Sequence, residues 1–142
     1  MRPETVEWVA KAAADLATAQ REAAVGDMPN YDAVCFHSQQ CAEKYLKAVM
    51  IETGMRVPRI HDLEALVNLL SGSYPDLGQV LRSARMLSAM AVEVRYPGMT
   101  ADEDDAGESL KATVIIRDAV LVLLGNVEKQ DIQVILKASK SV

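Results

Sequence analysis

What this 142-residue chain has little of narrows its fold first. Aromatic side chains make up only 4% of it, with one Trp and one Phe, so the residues that favour sheet faces are scarce. Gly and Pro number 7 and 5 while half of the chain is apolar, which excludes a disordered polymer. Long apolar runs are missing too. The strongest stretch, Val114 to Leu124, carries Arg117 and Asp118 and is too short to cross a bilayer core of roughly 30 Å. The start, Met1-Arg2-Pro3-Glu4, leads into no long apolar region of the signal-peptide kind, so a cytoplasmic protein is expected. Cys35 and Cys41 are the only cysteines. Six residues apart on a helix they point to different sides, so two buried thiols are expected rather than a disulfide. The two histidines, His37 and His61, are too few and too far apart for a dedicated zinc site, and no metal or cofactor is expected.

Positive charge is also in deficit: 15 Lys and Arg face 20 Asp and Glu, for a net charge of −5. Attraction of the whole molecule to a phosphate polymer is therefore excluded as the main mode of binding, and any phosphate contact needs a local patch. The chain contains no Gly-x-x-x-x-Gly-Lys loop, Gly-x-Ser-x-Gly elbow, His-Glu-x-x-His or paired Glu-x-x-His.

What is present is helical. Plentiful Ala, Leu and Val, with 7 Met, suit helix interfaces, and 142 residues suit one domain spanning the chain. Val6, Val9, Ala13, Leu16 and Ala17 mark a first amphipathic helix over about Glu4 to Ala24, closed by Gly26. Asn30 is the expected cap of a second, running to about Thr53 with Gly54 as its stop. Asp62 should cap a short third helix with Leu63, Leu66, Val67 and Leu70, ended by Gly72. Ser73 is the expected cap of a fourth carrying Leu77, Val80, Leu81, Ala84, Leu87 and Ala91, with Arg95 in its last turn before Pro97. Thr100 and Glu103 form the expected capping box of a fifth, which continues to Gly125. The segment 126–142 is read as a tail or short last helix. With no run that alternates as a strand, the fold class is all-α: an antiparallel up-and-down bundle of four or five helices.

Chemistry concentrates on the second helix. His37, Gln40, Lys44 and Lys47 follow steps of three, four and three and so form one line. Lys44 and Lys47, joined by Arg56, Arg59 and His61 from the next loop, would make a cationic patch for a phosphate. The plainer alternative is that His37 and Gln40 satisfy each other at a helix interface while the lysines are solvated, with Glu43 and Lys47 a surface pair. Arg56 and His61, with four residues between them, have the spacing to position and protonate a phosphodiester. Arg95 and Tyr96 offer a guanidinium, a ring and a hydroxyl at a bundle end, for a phosphate and a base or for a partner protein.

Three blocks in this order, Tyr31 to Ala48 with its Phe36-His37-Ser38-Gln39-Gln40 and Glu43-Lys44-Tyr45-Leu46-Lys47 core, then His61-Asp62-Leu63, then Arg95-Tyr96-Pro97, resemble prokaryotic HEPN-domain proteins over about residues 5 to 125. The resemblance implies a helical bundle like the C-terminal domain of nucleotidyltransferases, dimeric or larger, encoded beside a minimal nucleotidyltransferase and handling nucleotides or RNA. The family also contains metal-independent endoribonuclease toxins, whose motif is Arg, four to six residues, then His on a late core helix. Here both histidines precede Arg95, so that motif is absent, and Val57 follows Arg56. The chain is closer to the nucleotidyltransferase-associated branch. A helper that binds a nucleotide or RNA end is expected, with His37, Gln40, Lys44, Lys47, His61, Arg95 and Tyr96 as binding residues and no catalytic ones. The alternatives are an endoribonuclease toxin using Arg56 and His61, and an oligomeric scaffold without a ligand.

Overall fold

The computed structural model describes residues 1–140, with side chains through residue 125. Five α-helices account for the fold: α1 Pro3–Ala23, α2 Tyr31–Glu52, α3 Leu63–Ser71, α4 Leu81–Glu93 and α5 Glu103–Lys140, with a 3₁₀ turn at Pro75–Val80 before α4. No strand occurs among the described residues. The fold is the all-helical bundle that composition and periodicity predict.

Local chemistry sets most of the helix ends. Asn30 caps α2 by accepting from the Ala33 N–H at 3.0 Å, and Asp62 caps α3 by accepting from the Glu64 N–H at 3.0 Å. Gly54 follows α2 with φ +75°, where the Met55 and Gly54 N–H groups reach back to the carbonyls of Met50 and Ile51. That double bond is the Schellman stop, and its left-handed residue favours glycine.

Four expectations are corrected. Ser73 does not cap a continuous fourth helix: its N–H bonds to Leu70, and residues 75–80 wind as a 3₁₀ turn instead. Three residues per turn places Leu77 and Val80 on the same side, and both are buried. α4 ends at Glu93, so Arg95 lies in the turn beyond it rather than in its last turn. The capping box of α5 is Asp102 with Asp105, each side chain accepting the other's N–H at 2.8 and 3.0 Å, rather than Thr100 with Glu103. The cause is tertiary, because the Ala101 N–H is pinned to Asp32 at 2.7 Å and the helix starts only after it. Finally, α5 continues through Gly125 instead of ending there. A glycine inside a helix costs only about 1 kcal/mol. The side chains of the expected tail from 126 onward lie outside the described residues.

The helices run up and down. Thr5 meets Glu52 while Glu22 meets Asn30, so α1 and α2 are antiparallel. α2 is the central element, in contact with α1, α3, α4 and α5. Its Cys41, Leu46, Val49 and Met50 join Leu16, Leu66, Leu70, Leu87, Ile116 and Val120 in the main core. Burying each such large side chain contributes roughly 1.5–3 kcal/mol. Cys35 and Cys41 are buried free thiols. Burial pushes the Cys41 thiol up to about 11 and raises Cys35 as well.

Candidate functional site

A helix packed on several sides must pair its charged groups internally, and α2 does so in two clusters, although the hydroxyl of its buried Ser38 has no partner among the described residues. Toward α1, the carboxylate of Asp15 takes both His37, at 2.9 Å from Nδ1, and Lys44. Asp15 is only 13% exposed. Toward the α2–α3 loop, Glu43 accepts from Lys47 at 3.1 Å and from the His61 ring at 3.0 Å. Glu43 and Lys47 are both buried, whereas the His61 side chain is 70% exposed. Gln39, also buried, donates to Glu43 at 3.3 Å and to the His61 carbonyl at 3.0 Å. Gln40 donates to the Gln39 side-chain oxygen at 2.8 Å.

The line His37, Gln40, Lys44, Lys47 is therefore divided between two acids. Lys44 and Lys47 do not stand as a free cationic ridge. Lys47 is not solvated either, and its pair with Glu43 is interior rather than on the surface. Arg56 and Arg59 line a cavity with Met50, Met55, Val57, Pro58 and Leu69, and His61 does not line it. Tyr96 is exposed beyond α4.

His61 and Arg95 are brought together. They line a groove of about 600 Å³ between α4 and the start of α3, within the size range of small-molecule sites. Arg85, Ser88 and Val92 form its α4 wall at spacings of three and four, and Arg95 closes it from the turn that follows. Opposite them stand Gln39, His61, Asp62 and Glu64. The Ser88 hydroxyl accepts from the Leu63 N–H at 3.1 Å and ties the two walls together. Arg85 is bound to Glu64 at 2.9 Å. The Arg95 guanidinium has no ion pair or hydrogen bond among the described residues.

The groove thus holds two groups suited to an anion. Arg95 presents up to five donors in a fixed fork. His61 is held at two points: its Nδ1 side turns to Glu43, and its backbone carbonyl is tied by Gln39. That leaves Nε2 as the ring's free nitrogen, available to donate or accept a proton. No group of three or more His, Cys, Asp or Glu fit for a metal ion occurs among the described residues.

Asp15, Gln39, Glu64, Arg85 and Glu93 escape a reading from sequence alone, and Glu43 enters it only as the surface partner of Lys47. One signal pointed to part of this set. Gln39, Glu43 and Lys47 follow one another at i, i+4 and i+8, a polar stripe on a helix that is apolar almost all round. Such a stripe has to be internally paired.

Two solved structures share the fold. The crystal structure of TT1696 from Thermus thermophilus matches with a TM-score of 0.70 at 22% identity, over 82% of this chain and 94% of that one. ST0689, an archaeal HEPN homologue, matches with a TM-score of 0.62 at 28% identity, over 82% of this chain and 93% of that one. No curated protein matches significantly. The model of the HEPN domain matches residues 5–129, nearly the whole chain, and the protein belongs to the HEPN-domain family.

Proposed function

We propose that this HEPN domain is a binding module that takes the phosphate of a nucleotide or RNA end in the groove between α4 and the α2–α3 loop. It would serve as the helper of a minimal nucleotidyltransferase, in a toxin–antitoxin-like pair, and work as a homodimer. One observation carries the reading: a guanidinium without a partner among the described residues, Arg95, shares a groove with an imidazole, His61, that a buried acid orients. Burying Glu43 and Lys47 costs solvation, and the pair holds an exposed ring in place rather than filling the core with apolar packing. The strip Ala89, Ala91 and Val92 gives a base or sugar an apolar surface between the charged ends. Tyr96 stands exposed just past Arg95, where it can add a ring face. His37, Gln40, Lys44 and Lys47 enter this reading as supports of α2, because acids within the bundle already engage the charged ones.

Titration calorimetry with AMP tests it. Saturable binding should be lost in Arg95→Ala and weakened in His61→Ala, while Lys11→Ala, on the distant face of α1, leaves it unchanged. Absence of saturable binding by the intact protein refutes the proposal. Co-purification with the nucleotidyltransferase encoded beside it, if there is one, tests the partnership separately.

A second reading has its own support. A histidine held at Nδ1 by a carboxylate, with Nε2 free beside an arginine, is the arrangement of a general acid or base next to a phosphate-stabilising group. In that reading the groove is an endoribonuclease centre, with Arg95 rather than Arg56 as the partner of His61. Purified protein that leaves RNA intact in the absence of metal eliminates it; cleavage abolished by His61→Ala establishes it over the helper reading.

A further inference from the structure

The charge pattern of the α4 groove limits how many phosphates it can hold. Two arginines face three carboxylates, Asp62, Glu64 and Glu93, along its walls. The arginines are not equivalent. Arg85 is already bound to Glu64 at 2.9 Å, and the rest of α4 to Glu93, a rise of about 12 Å, separates it from the turn that carries Arg95. One end of the groove is therefore neutral and occupied, and among the described residues only the Arg95 end offers an unsatisfied cation. The Glu43 carboxylate that holds the His61 ring is already matched by Lys47, so the fixed charge of that cluster adds nothing to the groove.

From this we infer that the ligand carries a single phosphate with hydroxyl or amino groups beside it, such as a nucleoside monophosphate or a terminal phosphomonoester of RNA, and not a polyphosphate. The inference rests on the phosphate-binding reading above and narrows it. Arg95 and His61 line the same groove, and one phosphate would take the Arg95 fork and the free His61 nitrogen as its partners. A second or third phosphate would have to extend either out of the groove or along it, toward Glu93, Asp62 and the Glu64–Arg85 pair. Glu93 is exposed and has no ion pair among the described residues, so its charge is uncompensated there. The same carboxylates are suited to accept hydrogen bonds from ribose hydroxyls or a base amino group, which are donors where a phosphate is not. The walls thus discriminate by repulsion of one chemistry as well as attraction of the other.

Like unit charges about 6 Å apart in a groove open to water cost roughly three- to fivefold in affinity for each added phosphate. The experiment is a ladder of AMP, ADP and ATP titrated calorimetrically into the full chain in EDTA, so that no divalent ion bridges phosphate and carboxylate. AMP should bind tightest, with a loss of roughly three- to fivefold per step. In Glu93→Gln, an exposed position where the fold is not at stake, ATP should gain more than AMP and the ratio between them should narrow several-fold. ATP binding as tightly as AMP, or a ratio unmoved by Glu93→Gln, overturns the single-phosphate inference and leaves phosphate binding standing. Failure of all three nucleotides to bind removes both.

Discussion

Glu43→Gln is the sharpest perturbation of the interior that holds His61. The carboxylate is 7% exposed and accepts from Lys47 at 3.1 Å, His61 at 3.0 Å and Gln39 at 3.3 Å. The amide keeps the shape and one acceptor but removes the charge, leaving the Lys47 ammonium, 6% exposed, without a counter-ion. Removing one partner of a buried pair costs about 3–5 kcal/mol, a large share of a typical domain stability of about 5–15 kcal/mol. The retained amide oxygen places the expectation at the lower end, about 3 kcal/mol, or on the order of 6–12 °C in Tm for a chain of this length. Urea denaturation followed by far-UV circular dichroism at pH 7 measures it, with an unchanged m-value certifying that the same surface unfolds. The double variant Glu43→Leu, Lys47→Met removes both charges and should recover most of the loss, because an apolar pair of similar volume carries no desolvation penalty. A Glu43→Gln loss under about 1 kcal/mol, the scale of an exposed pair, would mean that water reaches Lys47 and that the cluster does not hold His61 as described.

Leu46→Ala, at a fully buried core position, should cost about 2–5 kcal/mol in the same urea assay, whereas Leu69→Ala, half exposed, should stay within about 0.5 kcal/mol. Asp102→Ala breaks the reciprocal cap of α5 and should cost about 1 kcal/mol, while Thr100→Ala should cost little. The Cys41 thiol is raised from 9.0 to about 11 by burial, so the folded chain retains a proton that the unfolded chain releases. Its contribution to stability is therefore constant below about pH 9 and declines as pH rises toward 11, and Cys41→Ala should flatten that decline in thermal melts between pH 8 and 11. Under native conditions at pH 8 both thiols should resist a thiol reagent until urea unfolds the chain.

Where a helix end obeys a rule written within four residues, the sequence displays it. Asn30, Gly54 and Asp62 do what caps and stops do in any protein, and the stripe of α3 finds the core, whereas in α1 Val6 and Ala13 stand exposed and Ala12 and Ala19 are buried beside Leu16 instead. The errors share another origin. Thr100 and Glu103 satisfy the capping pattern as well as Asp102 and Asp105 do, and only the hold of Asp32 on Ala101, 69 residues away, decides between them. Likewise the helical stripe through Leu77 and Val80 fits α-helix and 3₁₀ turn alike, since both residues are buried in either.

The same division runs through the candidate site. Helical spacing puts His37, Lys44 and Lys47 in one line, but a line of basic side chains is a binding surface only if no acid of the fold engages it. Asp15 reaches two of them from α1, at separations of 22 and 29 residues, and Glu43 takes the third from within α2. Arg95 escapes neutralisation by the described residues because α4 ends at Glu93 and releases it into a turn, which no propensity distinguishes from one further turn of helix. A cation matters for function here in proportion to what the bundle leaves unpaired around it. The test of the site is accordingly Arg95, the group the described fold leaves without a partner, rather than the lysines that sequence spacing makes most conspicuous.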